Sequence, residues 1–532
     1  MTTPRLAPLH IPPFNDLYNI NIPEFLVTAL VRHAVVDGVS ALTDTPIVYE
    51  KIDDSVKKVK VKGELVETVQ TRSTPDKRER RNEAFASALA GFGPRIKDLA
   101  DQIADAVEDE LWTRSENDSR SRRKVRAAIP LTPVCAVLQN QIGILGSSGA
   151  NDYGAAIESL YQVGKYLVGD TSNVTASAKL QFALADRCRR DEKLSALDMA
   201  CLALLRSALN LAPESLVYDQ GAGRLTSPAG LPKRQSLFFD SNESRVLDSL
   251  KNAGDLNTYV WFLRTWNKLT NPEWYLDIPY RRWVDWLVTA VRLSVGTAYL
   301  ARSQWMISAA KYSLRTARDD VAALDALINE TFVQQPLSWP DRGGVSFIDR
   351  DVKPEIRKLL RTSVSIRLVV EGDEFQKALG GDDTVESLKR VVNADTGLAE
   401  QLEQALLTPS IDFRQKVLQP VYDTVVGALV DKTSGHGDSE TADHYALMKQ
   451  VDDAYIIDPS SEVMALIATL ACDRPDGFTS LGRVRQEFQT LGLDPSQNEL
   501  RYLVERAGLC RSEADASLQV TVSSALRTAS QL

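Results

Sequence analysis

The sequence predicts a mainly α, multi-domain protein with a small β-hairpin near its N-terminus. Three observations carry that expectation. Apolar residues recur at helical spacing through most of the chain, as with Phe25, Leu26, Leu30, Val31 and Val35. Alternating, strand-like stretches are few and short. Segments rich in Gly and Pro, at 219–235 and 335–350, cut the 532 residues into blocks, and a chain of this length holds roughly three to four domains.

Composition narrows the class. Apolar residues make up 44% and charged residues 25%, an ordinary mixture for a globular chain able to bury a core without metals or disulfides. The net charge of −9 gives no global pull toward nucleic acid or a membrane, so such contact needs a local patch. The five cysteines (Cys135, Cys188, Cys201, Cys472 and Cys510) form no CxxC pair, which argues against a zinc ribbon or a thioredoxin-like site. Most sit among apolar neighbours, as Cys135 does between Val134 and Ala136 and Cys201 between Ala200 and Leu202, and read as buried thiols in a reducing compartment. The N-terminus lacks a basic stretch followed by an apolar run, and no window approaches ~18 consecutive apolar residues. The expected location is the cytoplasm, with no membrane partner.

Taken in order, a first region spans 1–130. Pro4, Pro8, Pro12, Pro13 and Pro23 suggest an extended arm, followed by a helix from Glu24 to Val36. Val56, Val59 and Val61, then Leu65, Val66 and Val69, flank Lys62-Gly63 and predict a hairpin with Lys57, Lys58, Lys60 and Lys62 on its solvent face. A helix follows from Glu83 to Trp112, broken at Gly93-Pro94. The second region, 131–218, is helical, with a small-residue turn from Gly146, a helix through Tyr161 and Tyr166, and two helices between Ala176 and Leu211.

The third region, 236–335, opens the tryptophan-rich part of the chain. Residues 242–339 hold seven of the eight tryptophans: Trp261, Trp266, Trp274, Trp283, Trp286, Trp305 and Trp339. Helices are expected at Leu256–Leu269, Tyr280–Leu293 and Thr297–Thr316. Indole clusters make ligand cages or partner hot spots, but helical spacing favours a core, with Arg281 and Arg282 stacking on it or pairing across it. The fourth region, 351–457, is expected to be helical with one strand at Ser363–Val370, whose polar and apolar residues alternate, and helices from there to Ala454.

The fifth region, 461–532, has the clearest order of elements. A helix from Val463 to Cys472 puts Val463, Leu466, Ile467 and Leu470 on one face. A second, Thr479 to Gly492, is capped by Thr479 or Ser480 and closed by Gly492; a third runs from Gln497 to Ala507. Leu518, Val520 and Val522 then alternate as in a wing strand. This order resembles a winged helix-turn-helix domain, over about sixty residues. The resemblance implies a third helix able to enter a DNA groove, with Gln497, Asn498, Arg501 and Arg506 outward and Arg511 in the wing. Charge argues for another use. Seven arginines, no lysine and nine carboxylates leave this region at −2, whereas DNA affinity rests on excess Lys and Arg. An acidic winged helix fits protein docking better.

Positive charge concentrates elsewhere. Arg72, Lys77, Arg78, Arg80 and Arg81 form one basic loop, and Arg114, Arg120, Arg122, Arg123, Lys124 and Arg126 a second. With the hairpin lysines they could make a phosphate-binding face, the expected site for double-stranded DNA. Signals for catalysis are thin. His436 and Asp438, with Asp443 and His444, match no metal-ligand spacing and read as a surface loop. Gly143, Gly146 and Gly149 give GxxGxxG, and no P-loop Gly-Lys-Ser/Thr follows, so no nucleotide cofactor is expected. Glu371-Gly372, placed after the expected strand, resembles the strand-end Glu-Gly of Toprim-type phosphoryl-transfer domains, with Asp373 beside it.

The leading expectation is therefore a non-catalytic interaction subunit of a multi-protein, DNA-acting prokaryotic assembly, in genome maintenance or phage defence. The alternatives are a metal-dependent phosphoryl-transfer enzyme centred on Glu371 and Asp373, and a pure protein scaffold.

Overall fold

Helix dominates the residues described by this computed structural model: 54–61, 64–71, 149–188, 217–219, 224–226, 257–315, 326, 337–338, 355–381, 384–408, 425–431, 445–451, 454–511 and 520–527. The chain divides into two units, one of residues 24–154 and 180–235, the other of 1–23, 155–179 and 236–532. Strand β1 (Asp54–Val61) pairs antiparallel with β2 (Glu64–Thr71), from Asp54 opposite Thr71 to Val61 opposite Glu64. The two strands flank the Lys62-Gly63 dipeptide, as the sequence predicts, while residues 62–63 themselves lie outside the described set. Helices α1 (Gly149–Val168) and α2 (Ala176–Cys188) come next. A second antiparallel pair, β3 (Val217–Asp219) and β4 (Arg224–Thr226), forms at the start of the Gly-rich stretch.

The tryptophan-rich helices are the core of the larger unit. Helix α3 (Thr258–Leu269) begins where the Asn257 side chain accepts from the Val260 N–H; α4 (Pro272–Tyr275) is a single turn with Pro at its start. Helix α5 (Tyr280–Ser313) runs for 34 residues. Trp261, Trp266, Trp283, Trp286 and Trp305 are fully buried and Trp274 nearly so, which makes this a core and not a cage; Trp339 lies outside the described residues. Burial obliges indole N–H groups to find acceptors. Trp266 donates to the Ala176 carbonyl (3.0 Å) and Trp283 to that of Leu269 (2.7 Å). Arg282 stacks over Trp286 at 5.1 Å and pairs with Glu462, as the sequence suggested; the side chain of Arg281 is outside the described set.

Two close approaches depend on glycine. A Cβ on Gly164 of α1 would stand 2.6 Å from the Tyr259 carbonyl oxygen of α3. A Cβ on Gly296 would collide with the Leu429 side chain. The sequence reading ended one helix at Leu293 and began another at Thr297. The structure keeps one helix through Gly296, because this glycine serves packing and not chain reversal.

Strand β5 (Leu337–Ser338) precedes helix α6 (Glu355–Val370). The strand expected at Ser363–Val370 is thus the end of a helix. Its alternation misled because Thr362 to Ile366 are all buried; small Ser363 and Ser365 pack inward beside Val364 and Ile366. A helix covered on nearly every side shows no 3.6-residue stripe. Helices α7 (Asp373–Leu379), α8 (Val385–Ala394) and α9 (Thr396–Leu407) follow, the last two capped by Thr384 and Asp395. Strand β6 (Val430–Asp431) then lies parallel to β7 (Met448–Val451), which turns back into antiparallel β8 (Ala454–Ile457). The stretch approaching Ala454, expected to be helical, is a hairpin.

The C-terminal elements are α10 (Ser461–Leu470), β9 (Phe478–Ser480), α11 (Leu481–Thr490), β10 (Leu493–Asp494), α12 (Gln497–Arg506), β11 (Cys510–Arg511) and β12 (Thr521–Ser523). Ser480 and Ser496 cap α11 and α12, accepting from the N–H groups of Arg483 and Glu499. Gly492 (φ 82°) and Gly508 (φ 70°) supply the left-handed turns after these helices. Strands β11, β12 and β9 form one antiparallel sheet in that order, and β10 pairs in parallel with β5. Strand β9 was not foreseen, since three residues leave no period to read. Helix α10 is buried from Val463 through Leu470, as a helix apolar all round must be.

Candidate functional site

The outward face of α12 collects the C-terminal residues singled out by sequence. Leu500, Leu503 and Val504 turn inward and are fully buried. Gln497, Asn498, Arg501, Tyr502 and Glu505 are exposed, their spacing placing them along one side of the helix. Tyr502, 44% exposed, is the residue that sequence reasoning passed over. Its signal was legible: it sits four residues after Asn498 and off the Leu500–Leu503–Val504 stripe.

Charge on this face is largely consumed within the chain. Arg501 Nε donates to Glu505 Oε1 at 2.8 Å, one helical turn on. Arg506 is exposed too, and its guanidinium reaches Asp458 Oδ1 (2.7 Å) and the Pro459 carbonyl (2.7 Å). On α11, Arg483 pairs with Asp473 (2.7 Å) and Arg485 with Asp494 (2.8 Å). Arg527 lies over the Phe478 ring at 3.7 Å. Arg511 belongs to β11, its backbone opposite Thr521. Four arginines that each meet a carboxylate are a poor match to the free cation row that phosphate neutralisation needs.

Asp458 is the buried end of that pattern. Its side chain is 2% exposed and meets Lys449 (3.0 Å) as well as Arg506. Burial alone would discourage its charge, but the hydrogen bonds and positive charge of Lys449 and Arg506 outweigh it and hold the carboxyl below its ordinary value. The pairing ties α12 to the β7–β8 hairpin.

A second polar cluster joins α3 to the C-terminal elements. The Lys268 ammonium donates to the Leu470 and Cys472 carbonyls, capping the C-terminal end of α10, and sits 4.9 Å from the Trp274 ring centre. Desolvation lowers its pKa. Arg264 reaches Glu487 (3.7 Å) and Thr490 (3.3 Å). Burial pushes the Glu487 carboxyl up, against the opposing pull of Arg264, Lys268 and the Trp261 indole. Burial likewise raises the Cys472 thiol to about 11, so it stays protonated and hydrogen-bonded to the Ala468 carbonyl. These perturbed groups are committed to docking α10 and α11 on α3.

No protein-family model matches the chain, and no curated protein matches it.

Of the remaining sequence candidates, Lys77, Arg78, Arg80, Arg81, Arg120, Arg122, Arg123, Lys124 and Arg126 lie outside the described residues, as do His436, Asp438 and Asp443-His444. Glu371 and Asp373 are described, and they stand at a corner between two helices instead of a strand end. Glu371 accepts from Arg367 Nε (2.6 Å), and Asp373 opens α7. Among the described residues no group of His, Cys, Asp and Glu is arranged to hold a metal ion. None of the described helices is long and apolar enough to cross a membrane.

Proposed function

We propose that this chain is a non-catalytic interaction subunit of a multi-protein, DNA-acting prokaryotic assembly in genome maintenance or phage defence, working in the cytoplasm. Its C-terminal elements form a winged-helix-like module that docks a protein partner through the outer face of α12, while the basic loops at 72–81 and 114–126 take double-stranded DNA. One observation carries the docking half. Arg483, Arg485, Arg501 and Arg506 are each engaged by a carboxylate of the same chain, while Tyr502 stands exposed with the Arg506 guanidinium 5.7 Å from its ring centre. An interface centred on Tyr and Arg with internally balanced charge suits a protein surface better than a phosphate backbone. The order α10–β9–α11–β10–α12–β11–β12 and the three-stranded sheet of β11, β12 and β9 support the winged-helix reading. The DNA half rests on the local charge of the two loops.

Gel-shift titrations at several salt concentrations separate the two halves. Reversing Arg122, Arg123 and Lys124 together should abolish salt-sensitive DNA retention. Arg501→Glu should leave it within about twofold, as expected for a residue outside the phosphate contacts. If Arg501→Glu alone abolishes retention, the module reads DNA and the assignment is reversed. If the wild type shows no salt-sensitive binding, the DNA half is lost and a pure scaffold remains.

A further inference from the structure

We draw no further inference here: the strongest candidate, the exposed face of α12 around Tyr502, belongs to the surface already described and nothing in the structure shows what covers it.

Discussion

Asp458, buried, and Glu487, half-buried, are carboxylates of opposite behaviour. Asp458 is held below its ordinary pKa, so its stabilising contribution is present at neutral pH and lost as pH falls through the folded-state value, below about 3.9. Glu487 is pushed above its ordinary value, so folding favours its protonated form, and its contribution fades as pH rises through the raised value. Urea denaturation between pH 2.5 and 7 should therefore separate the two. Asp458→Asn is expected to cost about 1–3 kcal/mol at pH 7, discounted because Lys449 and Arg506 can rehydrate, and to flatten the acid limb of the stability curve. Glu487→Gln should leave Tm at pH 7 unchanged or raise it, since the amide carries no charge to desolvate. A loss of several degrees in Glu487→Gln would mean that the pairing with Arg264 outweighs desolvation. The sequence offered no hint of either behaviour. Each depends on groups that the fold brings together, Lys449 and Arg506 for one, Arg264 and Lys268 for the other.

At the scale of the element, Gly296 is the instructive position. Glycine inside an exposed helix costs about 1 kcal/mol relative to alanine, so Gly296→Ala ought to stabilise α5 if propensity alone decided. The Leu429 side chain occupies the place a Cβ would take, and overpacking of this kind costs about 1–3 kcal/mol. The expected result is a net loss of stability in Gly296→Ala. In a Leu429→Ala background the same change should become neutral or favourable, a coupling that a double-mutant cycle measures directly. The same contact explains why the sequence broke this helix in two. A glycine read by itself signals an interruption, whereas a glycine facing a buried leucine signals close packing. Helix α6 makes the converse point, since its alternating Ser363–Val370 stretch is helical, with Thr362 to Ile366 all buried. The caps, by contrast, were legible: Ser480 and Gly492 bound α11 as their side-chain and φ requirements predict.

For the molecule as a whole, the C-terminal elements are held to the tryptophan-rich helices by cations of α3 and α5. Lys268 caps α10, Arg264 meets Glu487, and Arg282 bridges Glu462 and the Ala525 carbonyl (3.2 Å). The tail itself is laced in. The Ser524 hydroxyl bonds the Pro475 carbonyl and stands 3.1 Å from the Thr469 hydroxyl. Truncation after Ser523 should therefore lower Tm by several degrees and speed proteolysis within 461–523, while truncation after Arg527 should do neither. Equal protease resistance in the two truncations would show that the tail contributes nothing to docking.

By itself the sequence determined the helical character, the hairpin about Lys62-Gly63, the order of the C-terminal helices with their serine caps, and the inward placement of the tryptophans. Period, cap chemistry and turn residues are local, and local physics can be read along a chain. The tertiary structure alone decided that α5 runs unbroken, that Ser363–Val370 is helix, and that Arg483, Arg485, Arg501 and Arg506 each meet a carboxylate of the same chain. Those outcomes depend on which side chains meet across more than a hundred residues, as Leu429 meets Gly296, or on geometry within a few ångströms, as Glu505 meets Arg501.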